Sequence, residues 1–169
     1  GDGSLIELPE KHVDTGAGLE RIVTVLQNKS SNYETDLFQP IIQGIEKITG
    51  SRYNKDIVPH HVIADHVRML SFAIADGAMP SNEGRGYVVR RVLRRASRFG
   101  RTLGMKTEFL YHLVDSVIDV MGDSYIELKE KASHIKTDVF RELMWYSVSG
   151  EDKKGAVELW VKPQKNDEG

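Results

Sequence analysis

Tyr87-Val-Val-Arg-Arg-Val-Leu-Arg-Arg-Ala-Ser-Arg-Phe-Gly-Arg101 is the stretch whose reading decides the fold class. At about 100° per residue, Arg90, Arg91, Arg94, Arg95, Arg98 and Arg101 fall within one arc, and Val88, Val89, Val92, Leu93, Ala96 and Phe99 fill the opposite one. A helix patterned in this way buries one face and presents the other as a row of guanidinium groups. Between Arg85 and Arg101 there are seven arginines and neither a lysine nor a carboxylate. Ion pairing at i,i+4 within the helix therefore has no acid to use. The row reads either as a solvated face paired with other elements or as a phosphate-binding surface, for which forked, bidentate arginine is the suited cation.

Helical periodicity continues on both sides. Upstream, Leu37, Ile41, Ile45 and Ile48 recur at three- and four-residue spacing, with Gly50 as a left-handed cap. Pro59 marks a helix start, and Val62, Ile63, Val67, Leu70 and Ile74 run to a stop at Asp76-Gly77. A structured loop, Ala78 to Gly86, leads into the arginine helix. Downstream, Thr107 reads as the N-cap of a helix carrying Leu110, Leu113, Val114, Val117, Ile118 and Met121, and another helix is expected from about Tyr125 to Trp145. After Ser147 the chain turns polar and lysine-rich.

Composition sets bounds on function. The chain has 169 residues, 40% hydrophobic and 28% charged, which suits one globular domain or a small domain with appendages. No cysteine is present, which excludes disulfides and thiolate zinc sites. No apolar run approaches the roughly 20 residues of a membrane span, so a soluble, cytoplasmic setting is expected. The formal net charge is −2; the local concentration of arginine, not the overall balance, is what points to nucleic acid. His60, His61 and His66 share a helix but lack i,i+4 spacing, and no metal site is expected.

The amino-terminal segment reads differently. Leu5, Ile6 and Leu8 suggest a strand ended by Pro9, with His12-Val13 as a second short strand. Asp14-Thr-Gly-Ala-Gly-Leu-Glu-Arg21 follows, leading into a helix from about Gly18 to Gln27 that is expected to bury Leu19, Ile22, Val23 and Leu26. Two glycines flanking one residue allow positive φ and close backbone approach, and a helix start offers unpaired N–H groups to an anion. Arg21 stands where a dinucleotide fingerprint would need its third glycine, and no Gly-Lys-Ser/Thr follows. On residues alone the stretch fits either a phosphate cradle or a plain tight turn whose Arg21 pairs with Glu20.

Asp14 to Arg21 resembles motif 3 of the class II aminoacyl-tRNA synthetases. The leading Asp14-Thr-Gly, the following Ile22-Val-Thr-Val-Leu-Gln27 and Ser31-Asn-Tyr-Glu-Thr-Asp-Leu-Phe38 are similar to the alanyl-tRNA synthetase family in particular. Ser81-Asn-Glu-Gly-Arg-Gly-Tyr-Val-Val-Arg-Arg-Val-Leu-Arg-Arg-Ala96 resembles that family's tRNA-recognition helical domain. The resemblance implies a ligase that activates alanine with ATP, accompanied by Mg²⁺, and transfers it to tRNA(Ala). Arg21 then resembles the catalytic arginine that holds the ATP phosphates. Asp14 resembles the carboxylate that receives the alanine ammonium, and Gly16 and Gly18 lie where backbone nears substrate. Asn82 resembles the asparagine that reads the G·U wobble pair of the acceptor stem, although as a residue it equally suits an ordinary turn. Arg85, Arg90, Arg91, Arg94, Arg95 and Arg98 are the expected phosphate contacts. Asp65, His66 and Arg68 are expected to form a buried or interfacial polar network.

The fold expected from pattern and resemblance together is mainly α: a helical bundle preceded by a short antiparallel β-hairpin left from a class II synthetase catalytic sheet. Residues 1–30 would be the edge of the catalytic domain, 31–137 the acceptor-stem domain and 138–169 a divergent polar tail. The resemblance covers about Asp2 to Lys136 and contains neither motif 1 nor motif 2, so the isolated chain is expected to be inactive. The chain begins at Gly1, which is expected of a fragment. A non-catalytic RNA-binding helical module is the alternative.

Overall fold

The computed structural model describes residue 10 and residues 16–147, with side chains through Leu143. Among these residues seven α-helices and one 3₁₀ turn follow in order. They are α1 (Leu19–Leu26), the 3₁₀ turn (Asn32–Glu34), α2 (Gln39–Thr49), α3 (Ile57–Ala75), α4 (Gly84–Thr102), α5 (Leu110–Met121), α6 (Ile126–Glu130) and α7 (Ala132–Ser147). The expected combination of bundle and antiparallel β-hairpin is corrected accordingly. The described residues contain no strand, and the hairpin segments at Leu5–Leu8 and His12-Val13 lie outside them.

α3 is the centre of the bundle and packs against α2, α4, α5, α6 and α7. Its sequence explains why: it has no glycine, and apolar residues occupy nearly every side, with Ile63, Ala64, Val67, Leu70, Ile74 and Ala75 buried. A helix apolar all round is stable only when enclosed. Pro59 falls inside its first turn, not at its start, where the missing N–H has no intrahelical partner to lose. The helix ends at the expected place. Gly77 takes φ 83°, its N–H bonds the Ile74 carbonyl at 2.9 Å, and the Ala78 N–H bonds the Ala73 carbonyl at 2.8 Å. This pair of bonds is a Schellman cap, and the left-handed residue it requires favours glycine.

The remaining core comes from α2 (Ile41, Ile42, Ile45), α4 (Val89, Leu93, Ala96), α5 (Leu110, Leu113, Val114, Val117) and α7 (Ile135, Val139, Leu143). α5 starts at Leu110 after Phe109, so Thr107 is not its cap. The single helix expected from Tyr125 to Trp145 is broken at Lys131, whose ammonium instead donates to the Ala75 carbonyl at the end of α3. Leu128 of α6 and Ile135 of α7 both reach the core. α7 also crosses the boundary expected at 137/138.

α1 departs from its expected packing. Leu19 and Ile22 are each 48% exposed and Leu26 is 78% exposed, because no described element covers that side of the helix. α1 is tied instead by polar bonds. Thr24 Oγ1 donates to Asn32 Oδ1 at 2.8 Å, and Arg68 of α3 pairs with Glu20.

Gly100 marks the closest approach within the bundle, since a Cβ there would lie 2.1 Å from Cε1 of the buried Phe109. Gly100→Ala is expected to destabilise the chain by about 1–3 kcal/mol through overpacking, measured as a lower urea midpoint with an unchanged slope.

Candidate functional site

The loop before α4 is held by a contact that only glycine permits. Ser81 N–H bonds the Gly86 carbonyl at 3.1 Å, and a Cβ at Gly86 would lie 2.2 Å from Ser81 Oγ and 2.3 Å from the Met79 carbonyl. Ser81 Oγ donates to the Glu83 carbonyl at 2.8 Å. Folded back in this way, the loop presents Asn82 exposed at the amino-terminal end of α4.

The structure divides the arginine row. Arg85, Arg91, Arg95, Arg98 and Arg101 are exposed on α4. Arg91 lies over the Tyr87 ring, 5.7 Å from its centroid, and Arg95 lies 5.9 Å from that of Phe99. Each guanidinium thus rests on an aromatic face that limits its wandering while leaving its donors outward. Arg90 and Arg94 turn towards α7 instead. Arg90 Nε sits 2.7 Å from Glu142 Oε1 and its Nη2 donates to Oε2 at 2.9 Å, while Arg94 Nη2 lies 3.6 Å from Oε1. The third nitrogen of Arg90, Nη1, donates to Asn82 Oδ1. The structure therefore brings Asn82, Arg90 and Arg94 together around a carboxylate that the sequence reading did not single out. Glu142 is 52 residues from Arg90 and lies beyond the motifs on which the sequence resemblance was read. The available signal was the i,i+4 pair Asp138 and Glu142 on one face of a helix otherwise apolar at Ile135, Val139 and Leu143.

A second polar cluster joins α1 to α3. Arg68 pairs with Glu20 and lies 4.4 Å from the centroid of the Phe38 ring. The Glu20 carboxyl is held below its ordinary value of 4.5 by a first-turn backbone hydrogen bond and, against partial burial, by Arg68. Asp65 is also lowered, first by the hydrogen bond from His66, whose Nδ1 is 3.5 Å from its carboxylate. Asp65 and His66 thus pair with one another, while Arg68 finds its direct ionic partner on α1.

The glycine turn is described only in part. Asp14 lies outside the described residues. Gly18 is the N-cap of α1 with φ 78°, and Arg21 projects from the first turn into solvent. A Cβ at Gly16 would meet nothing within 4 Å among the described residues. Among the described residues no group of three or more histidines or carboxylates could hold a metal ion, and no helix is long and apolar enough to cross a membrane.

The other two histidines of α3 have structural partners. His60 is fully buried, with Nδ1 2.7 Å from the Asp56 carbonyl and Nε2 3.2 Å from that of Ser51. His61 stacks on Tyr33 at 3.6 Å and meets the Tyr53 hydroxyl at 2.6 Å.

The described residues thus combine a helical bundle, an arginine-faced helix and, before them, a glycine turn that ends in Glu-Arg. The chain belongs to the class II tRNA synthetases (A), whose sequence pattern matches residues 1–158. It is similar to the alanine–tRNA ligases of Staphylococcus aureus strains JH9 and Newman, each 49% identical over 167 residues. That alignment covers 97% of this chain and 19% of each relative. Both likenesses run past Thr137, further than the motifs alone reach, and they do not favour the alternative of a stand-alone RNA-binding module.

The depressed carboxyl of Glu20 fixes the sign of a pH effect on α1. Its contribution is fully present above about 4.5 and is lost as pH falls through the lower folded-state value. Arg68→Ala at neutral pH, or acidification of the unaltered chain below that range, is expected to lower the hydrogen-exchange protection factors of residues 19–26, each taken relative to the intrinsic rate at that pH, while α3 and α5 stay protected.

Proposed function

We propose that the chain forms part of an alanine–tRNA ligase, supplying the acceptor-stem-binding helices and the last corner of the site where ATP and alanine are held. The observation that carries this reading is 49% identity to alanine–tRNA ligases along 97% of the chain. The parent enzyme activates alanine with ATP, bound with Mg²⁺, and passes it to the terminal ribose of tRNA(Ala) in the cytoplasm.

In this reading Arg21 holds ATP phosphates against the charge that develops as pyrophosphate leaves, and Asp14 receives the alanine ammonium. Gly16 and Gly18 keep the backbone close to substrate. Across the bundle, Arg85, Arg91, Arg95 and Arg98 meet successive phosphates of the acceptor stem, and Asn82 reaches its minor-groove edge. An amide suits that edge because it can donate and accept, whereas a guanidinium only donates. Arg90 and Arg94, clamped by Glu142, stand behind the contact surface.

Two measurements test the proposal. Binding of the 169-residue chain to an acceptor-stem hairpin is expected to weaken steeply with salt, and Arg91→Ala or Arg95→Ala to reduce the logarithmic slope by about one each. A preference for G·U over G·C is expected to vanish in Asn82→Ala. A flat salt dependence would sink the RNA-binding half of the reading. The isolated chain is also expected to give no pyrophosphate exchange with alanine and ATP, and measurable exchange would show that it completes the adenylate site unaided.

A further inference from the structure

We propose that Glu142 is a positioning residue for Asn82, acting through Arg90 to fix the asparagine amide and so set discrimination at the base pair it reads. The inference rests on the role given to Asn82 above.

The geometry is a chain of three links across three elements. Glu142 on α7 has a side chain only 8% exposed; its Oε2 accepts from Arg90 Nη2 at 2.9 Å, and its Oε1 lies 2.7 Å from Arg90 Nε as an ion-pair contact. One charge-assisted bond and a second close charge contact on the same buried carboxylate hold the guanidinium in place. Held there, Arg90 turns Nη1 to the loop, where it donates to Asn82. Nη1 and Nη2 of Arg90 are both hydrogen-bonded, and turning this arginine towards a phosphate would break both bonds and the ion pair with Glu142. Arg91 and Arg95, resting on aromatic rings at the exposed face, carry no such constraint.

The chemistry of the donor decides how Asn82 is presented. Arginine has no acceptor, so the Asn82 atom facing Arg90 is the carbonyl oxygen, and the orientation of the amide follows without ambiguity. The amide nitrogen, with two donors, is left for a ligand acceptor, and one lone pair of Oδ1 remains for a ligand donor. Without the grip, Arg90 and the amide of an exposed asparagine would both rotate. Readout at a base edge depends on that orientation, whereas attraction to phosphates does not.

Glu142 also withholds charge. Its carboxylate faces Arg90 and Arg94, while Asp138, one turn earlier, is engaged with His134 at 3.1 Å and Arg141 at 3.2 Å. Neutralising Glu142 releases positive charge beside the binding face. The expected signature is a protein that binds RNA more tightly and selects less well. A residue that merely held the bundle together would lose affinity and selectivity together.

The test uses the whole 169-residue chain and two labelled acceptor-stem hairpins that differ only in a G·U or a G·C pair, with binding followed by anisotropy across a salt series. Glu142→Gln is expected to reduce the G·U preference about tenfold, while affinity for the G·C hairpin rises and the salt slope steepens by about one. Arg90→Lys keeps the charge but cannot grip Glu142 and Asn82 at once, and it is expected to lose the preference with little change of slope. Should Glu142→Gln fail to fold by circular dichroism, Arg90→Lys decides the matter. If Asn82→Ala loses the preference but Glu142→Gln, or Arg90→Lys in its place, keeps it within about twofold, the positioning role is overturned while the reading of Asn82 stands. If the unaltered chain binds both hairpins equally, the reading of Asn82 fails and the positioning role falls with it.

Discussion

The burial of one broad face of α3 is the constraint on which the other elements depend. A 19-residue helix with Ile63, Ala64, Val67, Leu70, Ile74 and Ala75 on one face is stable in water only when other helices surround that face. Each of its large buried aliphatic side chains is worth roughly 1.5–3 kcal/mol on leaving solvent. α2, α4, α5, α6 and α7 supply that surround. Where α4 meets the start of α5, Gly100 stands where Phe109 leaves no room for a methyl group.

α4 carries the consequence for function. Its position against α3 is set by Val89, Leu93 and Ala96, so the direction of every arginine is set by the core and not by the arginines themselves. Those on the outer arc face solvent. Those on its flank meet α7, where a carboxylate satisfies charge that would otherwise be buried without a partner. The same anchoring fixes the loop before α4 through Gly86, so that Asn82 and the arginines are presented by one rigid helix end.

α1 shows the opposite condition. Its apolar residues are largely exposed, and polar bonds from Arg68 and Asn32 hold it to the bundle. A helix fixed by a few polar bonds responds to pH and to single substitutions more readily than one fixed by buried area. Its sequence periodicity was legible, but periodicity says only that a face is apolar. What covers that face is a property of neighbouring chain, and among the described residues nothing does.

By itself the sequence determined the helical class, the extent of α2 and α3 to within a residue or two at their carboxy-terminal ends, and the family, because these depend on local pattern. Repeats of apolar residues at three and four, glycines after helix ends and two ordered motifs are all readable within short windows. Tertiary structure alone decided that the last helix breaks at Lys131, that Pro59 sits inside α3, and that the arginine row is split. The physical reason is distance along the chain. Glu142 and Arg90 are far apart in sequence and meet only because α4 and α7 pack together against α3, and no local pattern can say which carboxylate will face which guanidinium.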